Sequence, residues 1–495
     1  MRANPVAAEN GREAGWAVAG LLAIAALLRL ASFGVTEVEW WDSTIYLTEA
    51  RRIASGISWA PGYESHRAPL LPWIGALSYG AGLDETGVYL ANILFSLGTV
   101  WLMFRVGALL FDRQAGLVAA FLMAVSWESL FFTQRILTET PALFFWLLSI
   151  LVYVRSVVRG ETAWLPLLGP AVALAFLTHF RAGAIALALA LHFVAAKRWA
   201  LLKRKEVVVS ALLGFFCLAS YAVFSVRRWG APFEFLRGYQ VRRLGSIGTE
   251  QLGVLWRYLE YLPTYLGRFL FAFLLVSVTI TLAGELESVV RRSDSATRPE
   301  RLRRGLLLAG LVFVPLAVPG LFEKFNHRLG IFCLPGLFLL LGASVSRLAL
   351  RSRARSVAVS RAVMAGVLAI AASQQLSTAD VWLHAEGKSY LSVKVAGLWV
   401  RDHSREGAVI VTTSWPQVNF YAERRTVGLP GSPAEFEALV RDHRAPFLVL
   451  SACERKPAWM ESYLEANVGR LPRVYRSGDI RGLETSVYDC SRIAE

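Results

Sequence analysis

Ionisable and aromatic side chains gather in four short segments that separate long apolar runs of the chain. They are Glu37, Glu39, Trp40, Trp41, Asp42, Tyr46, Glu49, Tyr63, Glu64, His66 and Arg67; Arg135, Thr138 and Glu139; His179 and Arg181; and Glu323, Lys324, Asn326, His327 and Arg328. A carboxylate can take a proton from an attacking hydroxyl or amine. Arginine suits bidentate contact with phosphate. Together these residue types could act on a phosphorylated lipid at the end of an apolar segment.

The apolar runs between these segments dominate the composition. Of 495 residues, 55% are hydrophobic and 18% are charged, whereas a typical soluble domain carries about 25% charged residues. The mean hydropathy is +0.45, and 12% of the residues are aromatic, which argues against a disordered chain. These values predict a polytopic α-helical membrane protein.

Eleven stretches are apolar and close to the 17–25 residues that a membrane-spanning helix needs. They are 16–33, 87–110, 117–132, 140–155, 164–178, 182–196, 206–226, 269–287, 305–320, 328–346 and 357–376. The first has no small-residue cleavage site after it, so we predict a retained helix. A twelfth stretch, 69–83, is short and interrupted by Pro72 and three glycines. We predict that it lies along the membrane surface.

The charge pattern predicts which side of the membrane each loop faces. The chain has 52 basic and 37 acidic residues, a net charge of +15, but its basic residues form short clusters between spans, which argues against nucleic acid as a partner. With 69–83 on the surface, the loops on one side hold 19 Lys and Arg and those on the other hold 11. The first set is therefore predicted to be cytoplasmic. The four polar segments then face outward from a plasma membrane, as does the C-terminal tail.

We divide the chain into a transmembrane module, 1–376, and an extracytoplasmic α/β domain, 377–495. Within the module, the outer loops are 34–86 and 227–268; the second holds Tyr239, Tyr258, Tyr261 and Tyr265 and is predicted to form an amphipathic surface helix. In the tail we predict strands at 408–413 and 446–452, a helix opened by the capping box at Ser432 and running to His443, a helix at 457–467 and a strand ending at Tyr488. Cys453 and Cys490 could pair if the tail is exported.

Four motifs follow one another along the first 346 residues. They are Trp41-Asp42-Ser43-Thr44-Ile45-Tyr46, Arg67-Ala68-Pro69-Leu70-Leu71-Pro72-Trp73, Arg135-Ile136-Leu137-Thr138-Glu139, and Asn326-His327-Arg328 with Pro335 downstream. In this order they resemble the motifs of the C-type (GT-C) membrane glycosyltransferases, the superfamily of protein O-mannosyltransferases and the lipid A aminoarabinose transferase. Two positions depart from the family pattern: Ser43 replaces a frequent Glu, and Ala68 replaces a Pro. Whether Glu39 supplies the missing acid is left open.

This resemblance implies transfer of a sugar from a polyprenyl-phosphate carrier to a glycan, lipid or protein acceptor, with inversion. A phosphate leaves as a weak base, so one general base suffices, and we assign that role to Asp42. Glu139 is the second catalytic candidate, either orienting the acceptor or holding the residues around Asp42. The residues expected to bind the donor phosphate and lipid are Tyr46, His66, Arg67, Arg135, His327 and Arg328. No metal ligand is assigned, but family branches differ, so a divalent metal (Mg, Mn or Zn) is left open as a cofactor.

Simpler roles exist for each of these residues. Asp42 could be the N-cap of a helix over 43–54, and Glu139 could pair with Arg135. Arg67 and Arg328 could extend to lipid headgroups, and the same snorkelling is expected of Arg29. His66, His179 and His327 could join Asp42 at a metal, although their spacing fits no known metal motif.

Three other functions compete with single-sugar transfer. A transporter or flippase of lipid-linked sugars would be expected to carry ionisable residues within its spans, whereas those in this sequence are expected at the outer ends. An oligosaccharyl ligase would use a pyrophosphate-linked donor. A non-catalytic assembly subunit would tolerate substitution of Asp42.

Overall fold

The chain folds into a bundle of helices followed by a small sheet domain. The structure is a computed structural model, and it describes residues 5–57, 67–234, 249–290, 298–322, 325–352, 357–478 and 483–494. The first ten α-helices are α1 Pro5–Ala31, α2 Trp41–Ser55, α3 Leu70–Gly80, α4 Asp84–Leu110, α5 Arg113–Val125, α6 Trp127–Thr133, α7 Glu139–Tyr153, α8 Leu168–Thr178, α9 Ala184–Ala195 and α10 Lys205–Trp229. The next seven are α11 Thr249–Glu260, α12 Leu262–Leu266, α13 Arg268–Val290, α14 Arg298–Phe322, α15 Leu334–Ser352, α16 Val357–Glu386 and α17 Leu391–His403.

Six helices are long and apolar enough to span a membrane, and two bent helix pairs would raise the number to eight. Three shorter apolar helices, Gly15–Ala31, Thr162–Thr178 and Phe180–Ala195, coincide with three further predicted spans. These counts refer to the described ranges. They support a polytopic helical membrane protein, whereas the predicted total of eleven spans remains a prediction.

Close packing of α4 against α5 depends on two facing glycines. A Cβ atom on Gly107 would lie 2.6 Å from the Cα atom of Gly116, so the two backbones approach each other directly. Small residues at such contacts permit dense helix packing where lipid supplies no hydrophobic driving force. The pair forms part of the central core, together with α15.

Arg29 contributes to this core, and the prediction that it snorkels to the surface is wrong. Its side chain is fully buried and joins several helices. Nε donates to the Ser96 hydroxyl at 2.7 Å, while the other guanidinium nitrogens donate to the Ala124 carbonyl and the Ser129 hydroxyl, both at 3.0 Å. Hydrogen bonds of this kind offset the high cost of burying a charged group.

Helix α3 occupies most of the stretch predicted to lie along the membrane surface. Its 11 residues give a length of about 16 Å, roughly half the thickness of a hydrocarbon core. It packs against α2 and α4. Together α2 and α3 form a short helical layer over one end of the bundle.

The C-terminal domain contains five strands, β1 Val409–Thr412, β2 Arg425–Gly428, β3 Phe447–Ser451, β4 Arg473–Arg476 and β5 Thr485–Asp489. The sheet order is β2-β1-β3-β5-β4, with β1 parallel to β2 and β3, and β5 antiparallel to β3 and β4. Four further helices are α18 Trp415–Ala422, α19 Pro433–His443, α20 Trp459–Ala466 and α21 Ser491–Ala494. The three predicted strands and the helices at 432–443 and 457–467 are confirmed, whereas β2, β4 and α18 were not predicted.

Two local predictions for this domain, the capping box at Ser432 and a disulfide between Cys453 and Cys490, can be compared with the structure. The Ser432 hydroxyl accepts a hydrogen bond from the backbone N–H of Glu435 at 3.3 Å, as the capping box predicts. Cys453 and Cys490 are both free thiols that pack in separate apolar clusters. The structure therefore does not contain the disulfide considered from the sequence.

The domain packs on the layer formed by α2 and α3. Phe420 and Tyr421 of α18 share an apolar cluster with Tyr46 and Leu47 of α2. Helix α16 continues ten residues beyond the predicted domain boundary at 376, to Glu386. The boundary itself remains a prediction.

Candidate active site

Four charged side chains from separate parts of the chain form one network at the α2–α3 end of the bundle. The Arg67 guanidinium donates to Asp42 Oδ1 at 2.7 Å, and Arg328 donates to Asp42 Oδ2 at 2.9 Å. Arg328 also contacts Glu139 Oε1 through Nε at 2.7 Å and through a terminal nitrogen at 2.6 Å. The network thus alternates acid and base in the order Glu139, Arg328, Asp42, Arg67.

Asp42 lies in the first turn of α2, where a carboxylate interacts favourably with the helix dipole. The N-cap of α2 is Trp40, and no side chain caps the helix there. The alternative that Asp42 serves as an N-cap is therefore wrong. Its carboxylate points toward the two arginines instead, and it is about a quarter exposed.

The two arginines control the protonation of Asp42. Burial by itself would raise the pKa of its carboxyl, but the positive charges and hydrogen bonds of Arg67 and Arg328 outweigh that effect and lower the pKa to about 2. Asp42 is therefore an anion at neutral pH, with both of its oxygens occupied by arginine.

A short 3₁₀ helix, His327–Cys333, places Arg328. The Asn326 side chain accepts from the backbone N–H of Arg328 at 3.2 Å. Tyr265 donates its hydroxyl to the backbone carbonyl of His327 at 2.6 Å. A Cβ atom on Gly330 would lie only 2.0 Å from the Tyr265 ring, so glycine is needed there for the ring to reach the turn.

These contacts change the interpretation of the 227–268 loop. Tyr258 and Tyr265 are fully buried, and Tyr258 donates its hydroxyl to the Asn326 carbonyl at 3.1 Å. They support the segment that carries Arg328, so the prediction that these two rings anchor a surface helix is wrong. Tyr239 lies outside the described residues.

Glu139 is the first residue of α7 and is almost completely buried. It pairs with Arg328, which is 189 positions away, and not with Arg135 at i,i+4. The local alternative for Glu139 is therefore wrong. Because its side chain is only 1% exposed, Glu139 lies behind Arg328 as seen from solvent.

Two other residues predicted to bind the donor, Tyr46 and Arg135, are both buried. Tyr46 is buried, and its ring lies 5.6 Å from the guanidinium carbon of Arg67. Arg135 is buried between the rings of Phe131 and Trp40, with its guanidinium carbon 3.6 and 4.6 Å from their centroids, and it makes no ion pair with a described acid.

The centroid of the His327 ring lies 5.9 Å from that of Tyr261 and 6.3 Å from that of Trp382. Some of the polar residues noted in the sequence lie outside the described residues, and they are Tyr63, Glu64, His66, Glu323 and Lys324.

The arrangement of Asp42 and Glu139 does not fit a metal site. Their contacts in the described network are with arginine, which a metal ion would have to displace. His179 accepts from the backbone N–H of Arg181 and packs on Phe332. Among the residues that the structure describes, no three His, Cys, Asp or Glu side chains gather as metal ligands.

Glu39 lies outside the network of Asp42, Arg67, Glu139 and Arg328. Tyr89 donates its hydroxyl to Glu39 Oε1 at 2.6 Å, and the Glu39 backbone N–H donates to the Tyr421 hydroxyl at 2.7 Å. Burial raises the pKa of the Glu39 carboxyl to about 7, despite the Tyr89 hydrogen bond. Glu39 thus links the first loop to the C-terminal domain.

Glu128 is a buried acid that the sequence analysis missed. It lies on α6, within the predicted span 117–132, and is fully buried. Neither carboxylate oxygen has a hydrogen-bond partner among the described residues. Glu128 is thus an ionisable residue inside a predicted span, four residues from its outer end at 132. The signal in the sequence was an acidic residue next to Trp127 within an apolar run, because ionisable residues at membrane depth are costly and mark candidate functional sites.

Comparison with known proteins supports the resemblance inferred from the motifs. A sequence model of the family described as dolichyl-phosphate-mannose-protein mannosyltransferase matches residues 66–224. None of the curated proteins compared with the chain matches it.

Solved structures match nearly the whole chain. ArnT from Cupriavidus metallidurans in the apo state has a TM-score of 0.67 at 14% identity, over 97% of this chain and 99% of that chain. ArnT bound to undecaprenyl phosphate has a TM-score of 0.64 at 15% identity, with the same coverage of both chains.

Archaeal oligosaccharyltransferase AglB from Archaeoglobus fulgidus, in complex with an inhibitory peptide and a dolichol-phosphate, has a TM-score of 0.59 at 13% identity, over 89% of this chain and 70% of that chain. The GT-C fold inferred from the motifs is thereby confirmed.

Proposed function

We propose that the protein is an integral membrane glycosyltransferase that moves a single sugar from a polyprenyl-phosphate carrier to an acceptor hydroxyl or amine, with inversion. The observation that carries the proposal is that Arg67 and Arg328 converge on Asp42 at one end of an apolar bundle. It is supported by two relatives of the same fold, since ArnT was crystallised with undecaprenyl phosphate and AglB with a dolichol-phosphate.

Arg67 and Arg328 are the proposed donor-phosphate ligands. Both guanidinium groups are partly exposed, whereas Glu139 behind them is not. Two preorganised cations stabilise the negative charge that develops on a departing phosphate. Both arginines are already held in position by carboxylates, which reduces the entropy lost when they bind the donor.

Asp42 is the proposed general base. In the transfer, the acceptor oxygen or nitrogen bonds to the anomeric carbon, and the carbon–oxygen bond to phosphate breaks with its electron pair staying on phosphate. The acceptor proton moves to Asp42. With a pKa of about 2, Asp42 is a poor base while both arginines hold it. Donor phosphate competes for the same arginines, so its binding frees a carboxylate oxygen and raises the basicity of Asp42.

Glu139 is proposed as a positioning residue. It contacts Arg328 and is shielded from solvent, so it holds the guanidinium group without reaching the acceptor. This role matches one of the two expected from the sequence, that of holding the residues around Asp42.

The C-terminal domain is proposed to shape access of the acceptor, a glycan, lipid or protein. The Trp415 ring lies 5.8 Å from that of Trp41, which directly precedes Asp42. Arg51 of α2 also approaches Glu423 at 3.4 Å. The domain therefore borders the space beside Asp42. Following the positive-inside rule, we place this end of the bundle and the domain outside the cytoplasm.

The test is to incubate the purified full-length protein in neutral-lipid nanodiscs with a panel of radiolabelled polyprenyl-phosphate sugars and measure release of free carrier phosphate. Release with at least one monophosphate donor is expected. Absence of release with every member, in the presence of mixed glycan, lipid and peptide acceptors, would contradict the proposal.

Two further arms separate the competing functions. Activity with polyprenyl-pyrophosphate oligosaccharides alone would indicate an oligosaccharyl ligase. Movement of a labelled lipid-linked sugar across proteoliposome membranes without release of carrier would indicate a flippase. Either outcome would replace single-sugar transfer.

A further inference from the structure

A basic cavity lies at the end of the helical bundle opposite the Asp42 network. Helices α4 and α7 begin at the Asp42 end, at Asp84 and Glu139. This cavity is lined by Leu110, the last residue of α4, and by Val158, in the turn of π-helix (Val154–Val158) that directly continues α7. Residues near the end of α9 and the start of α14 complete it. Its volume is about 130 Å³, and since water occupies about 30 Å³ per molecule in the liquid, the cavity is large enough for a phosphate group.

Four arginines from three separate segments line this cavity. They are Arg159, Arg198, Arg303 and Arg304. Arg304 approaches Glu300 at 3.4 Å and donates to the Leu110 carbonyl at 3.2 Å. The other three make no ion pair with an acid in the described part of the chain. Glu300 also lines the cavity, so four arginines face one acid there and leave an excess of positive charge.

A buried polar network supports the cavity from within. His192 is buried, and its Nδ1 atom lies 2.7 Å from the Tyr153 hydroxyl. Helix α9, which carries His192, packs along α14. The Tyr153–His192 contact joins α7 to α9, and packing joins α9 to α14, so the segments that carry the arginines are held against one another.

The cavity differs from an ordinary cluster of basic residues at a membrane surface. Positive charge at this end is expected from topology alone, and Lys203 and Arg204 illustrate it: they are as exposed as Arg159 and Arg198, but they do not line the cavity. Six of the twelve lining residues are apolar, among them Leu109, Val157 and Leu307. A free inorganic anion would gain nothing from such a lining, whereas a lipid headgroup with its attached glycerol and chains would.

We propose that this cavity binds the phosphate of an anionic phospholipid at the membrane surface opposite the Asp42 network. Arg159, Arg198 and Arg303 supply the charge-assisted hydrogen bonds to phosphate, and the apolar lining contacts the glycerol and the first acyl carbons. The proposal does not depend on the transfer reaction, since it uses none of the residues of the Asp42 network.

The test uses delipidated full-length protein in detergent and measures binding of dioleoyl phosphatidylglycerol by native mass spectrometry. The double variant Arg159→Gln/Arg198→Gln is the informative one, because both side chains are exposed and their replacement leaves the His192 network intact. At least a tenfold loss of affinity for the tightest-bound lipid is expected. The control Lys203→Gln/Arg204→Gln removes the same charge from the same end of the bundle and should retain that affinity.

Three results would overturn the proposal. Equal losses in both double variants would show nonspecific charge attraction, and full affinity in the cavity variant would show that the lipid binds elsewhere. Displacement of the lipid by millimolar inorganic phosphate would show a site for the free anion.

Discussion

The two ends of the helical bundle present arginine in opposite electrostatic states. At one end, Arg67 and Arg328 are compensated by Asp42 and Glu139. At the other, three cavity arginines have no acidic partner among the described residues. A compensated arginine binds an anion only by exchanging one partner for another, so binding there changes the protonation and position of the displaced carboxylate. An uncompensated arginine binds an anion without displacing a carboxylate. The compensated arginines therefore suit chemistry at the Asp42 end, and the uncompensated arginines suit lipid anchoring at the cavity end.

The same contrast occurs within one loop, between Asp42 and Glu39. They are three residues apart, yet two arginines lower the pKa of Asp42 to about 2, while burial raises that of Glu39 to about 7. The surroundings of each acid, two arginines for Asp42 and burial for Glu39, set its charge, and its place in the sequence does not. Asp42 is held ready to react, whereas Glu39 is placed for a structural contact.

Replacing Asp42 by Asn should have the largest effect, because it removes the proposed base. We expect the transfer rate at saturating donor to fall about 10³-fold. Affinity for carrier phosphate should remain or increase, since the arginines lose a competing anion. Rates and carrier dissociation constants measured on the same preparation test both expectations.

The control for this variant is Glu37→Gln, which alters an exposed acid of the same loop. It should keep normal turnover. If Asp42→Asn keeps more than a tenth of the normal rate, Asp42 is not the base, and another residue would have to take the acceptor proton.

Replacing Arg328 by Gln should destabilise the protein by about 4 kcal/mol, because it leaves the buried Glu139 carboxylate without its cation. The free energy of unfolding in a fixed detergent measures this loss. Adding Glu139→Gln should restore most of it by removing the stranded charge. A double variant no more stable than Arg328→Gln would contradict the positioning role of Glu139.

Much of the fold could be predicted from sequence because it depends on local patterns. Hydrophobic runs located the long apolar helices of the bundle, and Ser432 with Glu435 located the start of α19. The members of the site were also predictable, through motifs. Their pairing was not, since Asp42 and Arg328 are 286 positions apart and meet only through tertiary packing.

The errors have the same physical origin. Arg29 and Tyr265 were judged by their neighbours in sequence, and Glu128 was overlooked within an apolar run. Their positions depend on other helices: Ser96 and Ser129 satisfy Arg29, and the turn around Gly330 accommodates Tyr265. Sequence periodicity identifies which face of a helix is apolar, but not which distant polar group meets it.

Replacing Glu39 by Gln should stabilise the protein at high pH by on the order of 3 kcal/mol. The ordinary carboxyl pKa of 4.5 is raised to about 7 in the folded protein. Between these values the folded state binds the extra proton, so its stability falls as pH rises and stays lower above pH 7. The Gln variant lacks this penalty. Thermal unfolding should match the unmodified protein at pH 4.5 and exceed it at pH 8, and parallel curves would refute the assignment.

Replacing Arg67 by Gln should give the smallest effect, about a tenfold loss of affinity for carrier phosphate, which corresponds to one charge-assisted hydrogen bond. Stability should change little, because Asp42 is partly exposed and keeps Arg328. Removing one of the two cations also raises the pKa of Asp42, so the acidic limb of the pH–rate profile should move to higher pH. Arg67→Lys keeps the charge and should leave that limb nearly unmoved while still weakening the carrier contact. An unchanged profile in Arg67→Gln would show that Arg67 does not act on the base.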